Sequence, residues 1–127
     1  MGALSGAQGV LYRAFRMKAF RQGILGEWQA ARYVRRQGMR ILARRYRTAH
    51  GEIDLIARDG DTLVFIEVKS RPRGAIGEGV RAVGADKRRH MAYAAQCYLL
   101  SHGPADKVRF DVIEITASGP WHIKNAF

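Results

Sequence analysis

The run Phe65-Ile66-Glu67-Val68-Lys69-Ser70-Arg71 closes an apolar stretch with a carboxylate and an ammonium two residues apart. Buried ions are costly to desolvate and need a charged partner or a metal. Strand side chains alternate, so Glu67 and Lys69 share one face while Val64, Ile66 and Val68 take the other. Asp54, in Gly51-Glu52-Ile53-Asp54-Leu55-Ile56-Ala57, is the next acid to place. The dipeptide Asp59-Gly60 between two β-rich runs is a strong hairpin signal. A two-residue Asp59-Gly60 loop sets Arg58 against Asp61 and Asp54 against Phe65, whereas a four-residue loop sets Asp54 against Glu67. Both even loops put Asp54 on the face of Glu67 and Lys69, and a three-residue loop would turn it away. With an even loop, Ile53, Leu55, Val64, Ile66 and Val68 form one continuous apolar face.

Two carboxylates for one ammonium leave surplus negative charge, which suits a hard divalent cation such as Mg²⁺. A structural salt bridge is the plainer alternative. Charge along the chain weighs against it. Residues 1–47 hold eleven Lys or Arg and one acid, a net of +10, while residues 48–127 hold eleven basic and ten acidic residues, a net of +1. A basic third of this kind is the footprint of a polyanion such as nucleic acid or an anionic membrane surface. The single acid in it, Glu27, lies early in a helical segment. There it either answers the helix dipole or supplies a third carboxylate near the metal.

The rest of the chain reads as the frame for these groups. With 127 residues, 47% hydrophobic and 26% charged, it has the balance of one globular domain. From Gly26, apolar Trp28, Ala31 and Val34 recur at helical spacing up to a C-capping Gly38. Residues 39–47 predict a strand with an exposed basic side, and the hairpin follows. From about Glu78 to Ser101, Val80, Val83, Met91, Ala94, Ala95, Tyr98 and Leu99 predict a long amphipathic helix. Residues 107–115 predict a fourth strand, parallel to its neighbour through a crossover, and Trp121–Phe127 a terminal strand or packed tail. The order is α-β-β-β-α-β, an α/β fold with a mixed sheet flanked by helices. Cys97 is the only cysteine, so neither an intramolecular disulfide nor a cysteine zinc cluster is available, and a cytoplasmic location is expected. The four histidines lack metal-site spacing, and no apolar run is long enough for an integral membrane segment. Residues 1–22 read as a loosely ordered basic arm and 23–127 as the domain proper.

The Asp-bearing strand, short hairpin and Glu-x-Lys triplet, with a Glu-bearing helix before and a long helix after, resemble the PD-(D/E)XK, restriction-endonuclease-like nuclease superfamily, with Ile53-Asp54 in place of Pro-Asp. More closely, Gly26-Glu27, residues 51–57, residues 63–71, Lys87, Arg109–Val112 and the ending Ile123–Phe127 resemble the YraN-like family of small bacterial proteins. The resemblance covers about residues 23–127. It implies the αβββαβ core and a metal-dependent nuclease acting on structured DNA, ahead of RNA, since the superfamily includes archaeal Holliday junction resolvases. Asp54 and Glu67 would then bind Mg²⁺ or Mn²⁺ with the Val68 carbonyl, Lys69 would act on water or on the developing phosphoryl charge, and Glu27 would complete the catalytic set. Arg44, Arg45, Arg47 and Arg71 would track the nucleic-acid backbone. Lys87 and Arg88, on the long helix, read equally as phosphate contacts or as a solvated face. A two-fold symmetric substrate would call for a homodimer. Two other readings stand beside the nuclease: a non-catalytic nucleic-acid-binding module on a nuclease fold, and an interaction or membrane-surface protein.

Overall fold

A computed structural model of the chain describes residues 23–71 and 84–127. The expected basic arm, and the stretch of the expected long helix carrying Val80 and Val83, lie outside the described residues. Helix α1 spans residues 23–36. It ends as Gly38 turns to φ +86°, a conformation that glycine enters without a Cβ penalty. The strands follow as β1 (Arg40–Thr48), β2 (Gly51–Asp59) and β3 (Thr62–Ser70), then helix α2 (Ala85–His102), β4 (Lys107–Thr116) and β5 (Gly119–Ile123). They form one sheet in the order β1-β2-β3-β4-β5. The β3–β4 pair is parallel, joined across the crossover that carries α2, and the other three pairs are antiparallel. This is the expected α/β architecture, with β5 as the added terminal strand.

Burial divides the side chains of the sheet between two layers. Leu55, Ala57, Val64, Ile66, Ile113 and Ile115 pack with Ala30, Ala31 and Val34 of α1. Ile56, Leu63 and Phe65 pack with Ala94, Ala95 and Tyr98 of α2. Two details depart from the sequence expectation. Ile53 joins the α2 layer with Ile56 instead of continuing the face of Leu55, so the alternation of β2 breaks between them. Across β1 at that point, Arg45 takes φ +48°, a left-handed conformation that side-chain-bearing residues seldom adopt. On α1, Ala30, Ala31 and Val34 are fully buried, while Trp28 is 58% exposed. The helical period was legible, but the buried stripe is centred on the small residues and leaves the indole outside.

Two contacts set the frame around the hairpin. A Cβ on Gly51 would stand 2.1 Å from the His90 carbonyl oxygen and 2.8 Å from its carbon, so this glycine lets the backbone of α2 lie directly against the start of β2. Gly51→Ala is expected to push α2 outward and cost about 2 kcal/mol. A urea midpoint equal to that of the parent chain would contradict the close approach.

The second contact holds the C-terminal residues. Asp111 on β4 is fully buried, and Arg109 binds it with Nε at 2.9 Å from Oδ1 and Nη2 at 3.0 Å from Oδ2. His122 Nε2 lies 2.7 Å from Oδ2, and the Asn125 N–H donates to Oδ1 at 2.9 Å. The His122 ring continues the chain of contacts to the Tyr33 hydroxyl on α1, 3.2 Å from Nδ1. Burial pushes the Asp111 carboxyl up, but the hydrogen bonds from His122, Arg109 and Asn125 outweigh it and hold the group below its ordinary value. Asp111 is thus a structural acid tying β4, β5 and α1 together. Asp111→Asn keeps an acceptor but loses the charge, and is expected to cost about 2 kcal/mol. Equal stability of the two chains at pH 7 would show that the network contributes nothing.

Candidate functional site

Strands β2 and β3 pair from Asp59↔Thr62 through Leu55↔Ile66. The turn is therefore Gly60-Asp61, with Gly60 at φ +62°, and the register is the one the four-residue loop gave, not that of an Asp59-Gly60 loop. One step beyond Leu55↔Ile66, Asp54 comes abreast of Glu67. There the side chain replaces ladder pairing, and Asp54 Oδ2 accepts the Val68 N–H at 2.8 Å. Asp54, Glu67, Val68 and Lys69 are thereby brought together at the end of the hairpin.

Glu67 lies deepest. Its side chain is 4% exposed, with Oε1 3.3 Å from Lys69 Nζ and Oε2 3.4 Å from Lys87 Nζ on the first turn of α2. Lys87 is therefore a member of the site and not a solvated helix residue. It also changes the charge count, since two carboxylates now face two ammonium groups and the expected surplus negative charge is absent within this foursome. Despite its charged neighbour, Glu67 Oε2 is buried without a hydrogen bond, a condition that leaves desolvation incompletely compensated. Burial, reinforced by the charge of Glu67, pushes the Asp54 carboxyl up to about 7, against the lowering influence of the Val68 N–H and Lys87. Asp54 therefore holds its proton up to about neutral pH.

A cation would answer both irregularities, taking the Glu67 oxygen whose only partner is the Lys87 ion pair and displacing the proton of Asp54. The donor set suits Mg²⁺ or Mn²⁺: hard oxygens, few in number. Among the described residues no group of three or more His, Cys, Asp or Glu side chains converges. Mg²⁺ characteristically uses one or two carboxylates and completes its shell with water and substrate phosphate. Asp54 and Glu67 would hold the ion, with the Val68 backbone between Glu67 and Lys69 as the neighbouring oxygen donor.

The remaining residues singled out in the sequence lie elsewhere. Glu27 on α1 pairs with Arg45, Oε2 to Nε at 2.7 Å, and so connects to the site through the strand carrying Arg45 instead of meeting the two carboxylates. The guanidinium of Arg44 lies over the Trp28 ring, 4.9 Å from its centroid, and Arg47 pairs with Glu52 at 3.4 Å in an exposed position. Arg71 extends the β3–β4 ladder, its N–H donating to the Ile115 carbonyl at 2.7 Å and its guanidinium to the Ser70 carbonyl at 3.2 Å. Arg88 stacks on Phe127 at 5.3 Å from the ring centroid. These five cations thus belong to several separate settings, while Lys87 lies in the site itself.

Sequence reasoning passed over Glu114. It is fully buried and in register with Lys69 across the parallel β3–β4 pair, and it alternates with Ile113 and Ile115, which face α1. It therefore shares the face of Glu67 and Lys69. The signal was present in Val112-Ile113-Glu114-Ile115, an acid inside an apolar run just as in Ile66-Glu67-Val68.

Among the described residues no helix is long and apolar enough to cross a membrane. Comparison with known proteins places the chain among relatives of similar length. Residues 26–115 match the model of a family described as "Uncharacterised protein family UPF0102". A UPF0102 protein of Mesorhizobium japonicum is 43% identical over 120 residues, covering 90% of this chain and 92% of its own. One from Persephonella marina is 42% identical over 107 residues, covering 84% and 92% respectively, and one from Anaeromyxobacter dehalogenans is 46% identical over 92 residues, covering 72% and 69%. The hairpin, with Asp54, Glu67 and Lys69, falls inside all of the matched family region, and the chain belongs to the UPF0102, or YraN-like, family.

Proposed function

We propose that this protein hydrolyses phosphodiester bonds in nucleic acid, with DNA as the preferred substrate, using one Mg²⁺ or Mn²⁺ held by Asp54 and Glu67. The observation that carries this reading is the meeting of the two acids across the hairpin, one oxygen of Glu67 buried without a hydrogen bond and Lys69 beside it at 3.3 Å. When bound, the ion supplies Lewis-acid activation of water and neutralises charge on the phosphoryl oxygens. The chain's own groups do the rest. Lys69 and Lys87 hold their ammonium groups against Glu67 and offer positive charge where an anionic phosphate must settle. Asp54 surrenders its proton when it ligates, so loading is favoured above about pH 7. The strongly basic first third, net +10 over residues 1–47, gathers the polyanion without regard to sequence. A reducing cytoplasm suits a chain with the single cysteine Cys97.

A second reading, a module that binds nucleic acid without cutting it, is favoured by one observation: Lys69 and Lys87 already balance Glu67. A panel of four-way junction, flap, single-stranded and duplex DNA with Mg²⁺ or Mn²⁺ separates the two. The nuclease reading expects cleavage of at least one structured substrate, abolished by EDTA. Salt-sensitive binding with no product under any metal condition favours the module.

A further inference from the structure

We propose that the cleft bordered by Trp28, Arg44 and Glu27 is a docking platform for one unpaired nucleobase. The inference rests on the nucleic-acid reading above but not on cleavage. Trp28 stands 58% exposed and Leu25 62% exposed on α1, so the helix turns its largest aromatic side chain to solvent while its small residues fill the core. A guanidinium already lies against that ring, 4.9 Å from the centroid, so no ring fits between the two and a planar π system would stack on the joined cation–π surface that the pair presents. The cleft they border has a volume of about 280 Å³ and is lined by Ile24, Glu27, Trp28, Arg44 and Arg45. That is near the lower limit of about 300 Å³ for small-molecule sites, room for one ring system and not for a folded ligand.

Charge selects the occupant. Eleven Lys or Arg against a single acid over residues 1–47 calls for an anionic partner, and Arg44 and Arg45 both line the cleft. A lipid surface would also be anionic, but its headgroup phosphates would meet the Glu27 carboxylate in the wall. A base meets that carboxylate favourably. Glu27 Oε2 takes Arg45 at 2.7 Å, yet a carboxylate has acceptor capacity for more than one donor and accepts well from an exocyclic amine such as that of cytosine. Trp28 stacks the base, Arg44 meets the adjoining phosphate, and Glu27 favours amine-bearing bases over thymine. The platform acts on unpaired bases only, because a base inside a duplex has both faces covered.

The chain has two tryptophans, Trp28 and Trp121, so Trp121→Phe leaves Trp28 as the sole indole reporter. This full-length variant is titrated in EDTA, where no cleavage interferes, with oligo-dC, an abasic strand of equal length, a matched duplex, and phosphatidylserine-containing vesicles. Oligo-dC should quench Trp28 emission, and the abasic strand should bind about tenfold more weakly without quenching. In the otherwise native chain, Trp28→Leu should lower oligo-dC affinity about tenfold and leave duplex affinity unchanged, with Trp28→Phe recovering part of the loss. Equal affinity for oligo-dC and the abasic strand overturns the platform while leaving nucleic-acid binding intact. Quenching by vesicles alone, with no affinity for any strand, overturns both this proposal and the nucleic-acid reading.

Discussion

Lys69→Ala and Glu67→Gln are each expected to lower divalent-metal-dependent phosphodiester cleavage by a hundredfold or more, on the order of 3 kcal/mol of transition-state stabilisation. The two losses have different origins. Glu67→Gln removes a charged oxygen donor and leaves an amide beside Lys69 and Lys87, whose ammonium groups lose the partner 3.3 and 3.4 Å away. Metal affinity should fall with activity. Lys69→Ala leaves both carboxylates in place, so metal binding should persist while turnover is lost. Lys69 is 26% exposed at its side chain, and its removal empties no core position, so the variant should fold with a near-parental circular dichroism spectrum. Initial rates on the most readily cut structured substrate, measured at saturating Mn²⁺, decide the matter. Full activity in both folded variants would take these residues out of the chemistry.

Asp54 governs the second large effect, on stability. Its carboxyl is raised from 3.8 to about 7 in the folded chain, whereas in the unfolded chain it ionises near its ordinary value. Between about pH 4 and pH 7 the folded state therefore holds a proton that the unfolded state has released. Stability contributed by this group is present at acid pH and falls as pH rises through that window. The whole shift corresponds to about 4 kcal/mol. Asp54 is only partly buried, and water reaching it screens part of the effect, so a difference on the order of 3 kcal/mol is expected. Asp54→Asn should behave like the protonated carboxyl, since the amide oxygen can still accept the Val68 N–H. In EDTA, the variant and the parent should be about equally stable at pH 4, and the variant should be the more stable at pH 8. Mg²⁺ should raise the stability of the parent at pH 8 and leave that of the variant unchanged, because only the parent offers two carboxylates. Urea unfolding at the two pH values, with and without Mg²⁺, measures all four quantities. A stability difference independent of pH would show that Asp54 ionises normally in the folded chain.

Much of this site was legible because it depends on local rules. Strand alternation places Glu67 and Lys69 on one face. An Asp-Gly turn with an even count brings Asp54 to that face whichever even loop forms, so the uncertainty of two residues in register did no harm to the conclusion. The order of strands and helices followed from periodicity in the same way. What escaped depends on where elements land. Lys87 reaches Glu67 because Gly51 admits the α2 backbone at His90, a contact between segments about forty residues apart that no periodicity reports. Glu27 meets Arg45 because Arg45 adopts a positive φ, and the break in β2 alternation at Ile53 lies across from it. Trp28 was placed with the buried face because aromatic residues at helical spacing are ordinarily core, whereas α1 packs on the sheet through alanines and a valine. Glu114 differs from these, for its signal lay in the sequence and needed only the alternation argument already applied to Glu67.

The most direct test of the account is calorimetric titration of Mn²⁺ into the full chain at pH 8, beside Glu67→Gln. The paired carboxylates predict one ion bound per parent chain and no saturable heat from the variant. No heat from either protein, or the same binding isotherm from both, would contradict a metal centre at Asp54 and Glu67.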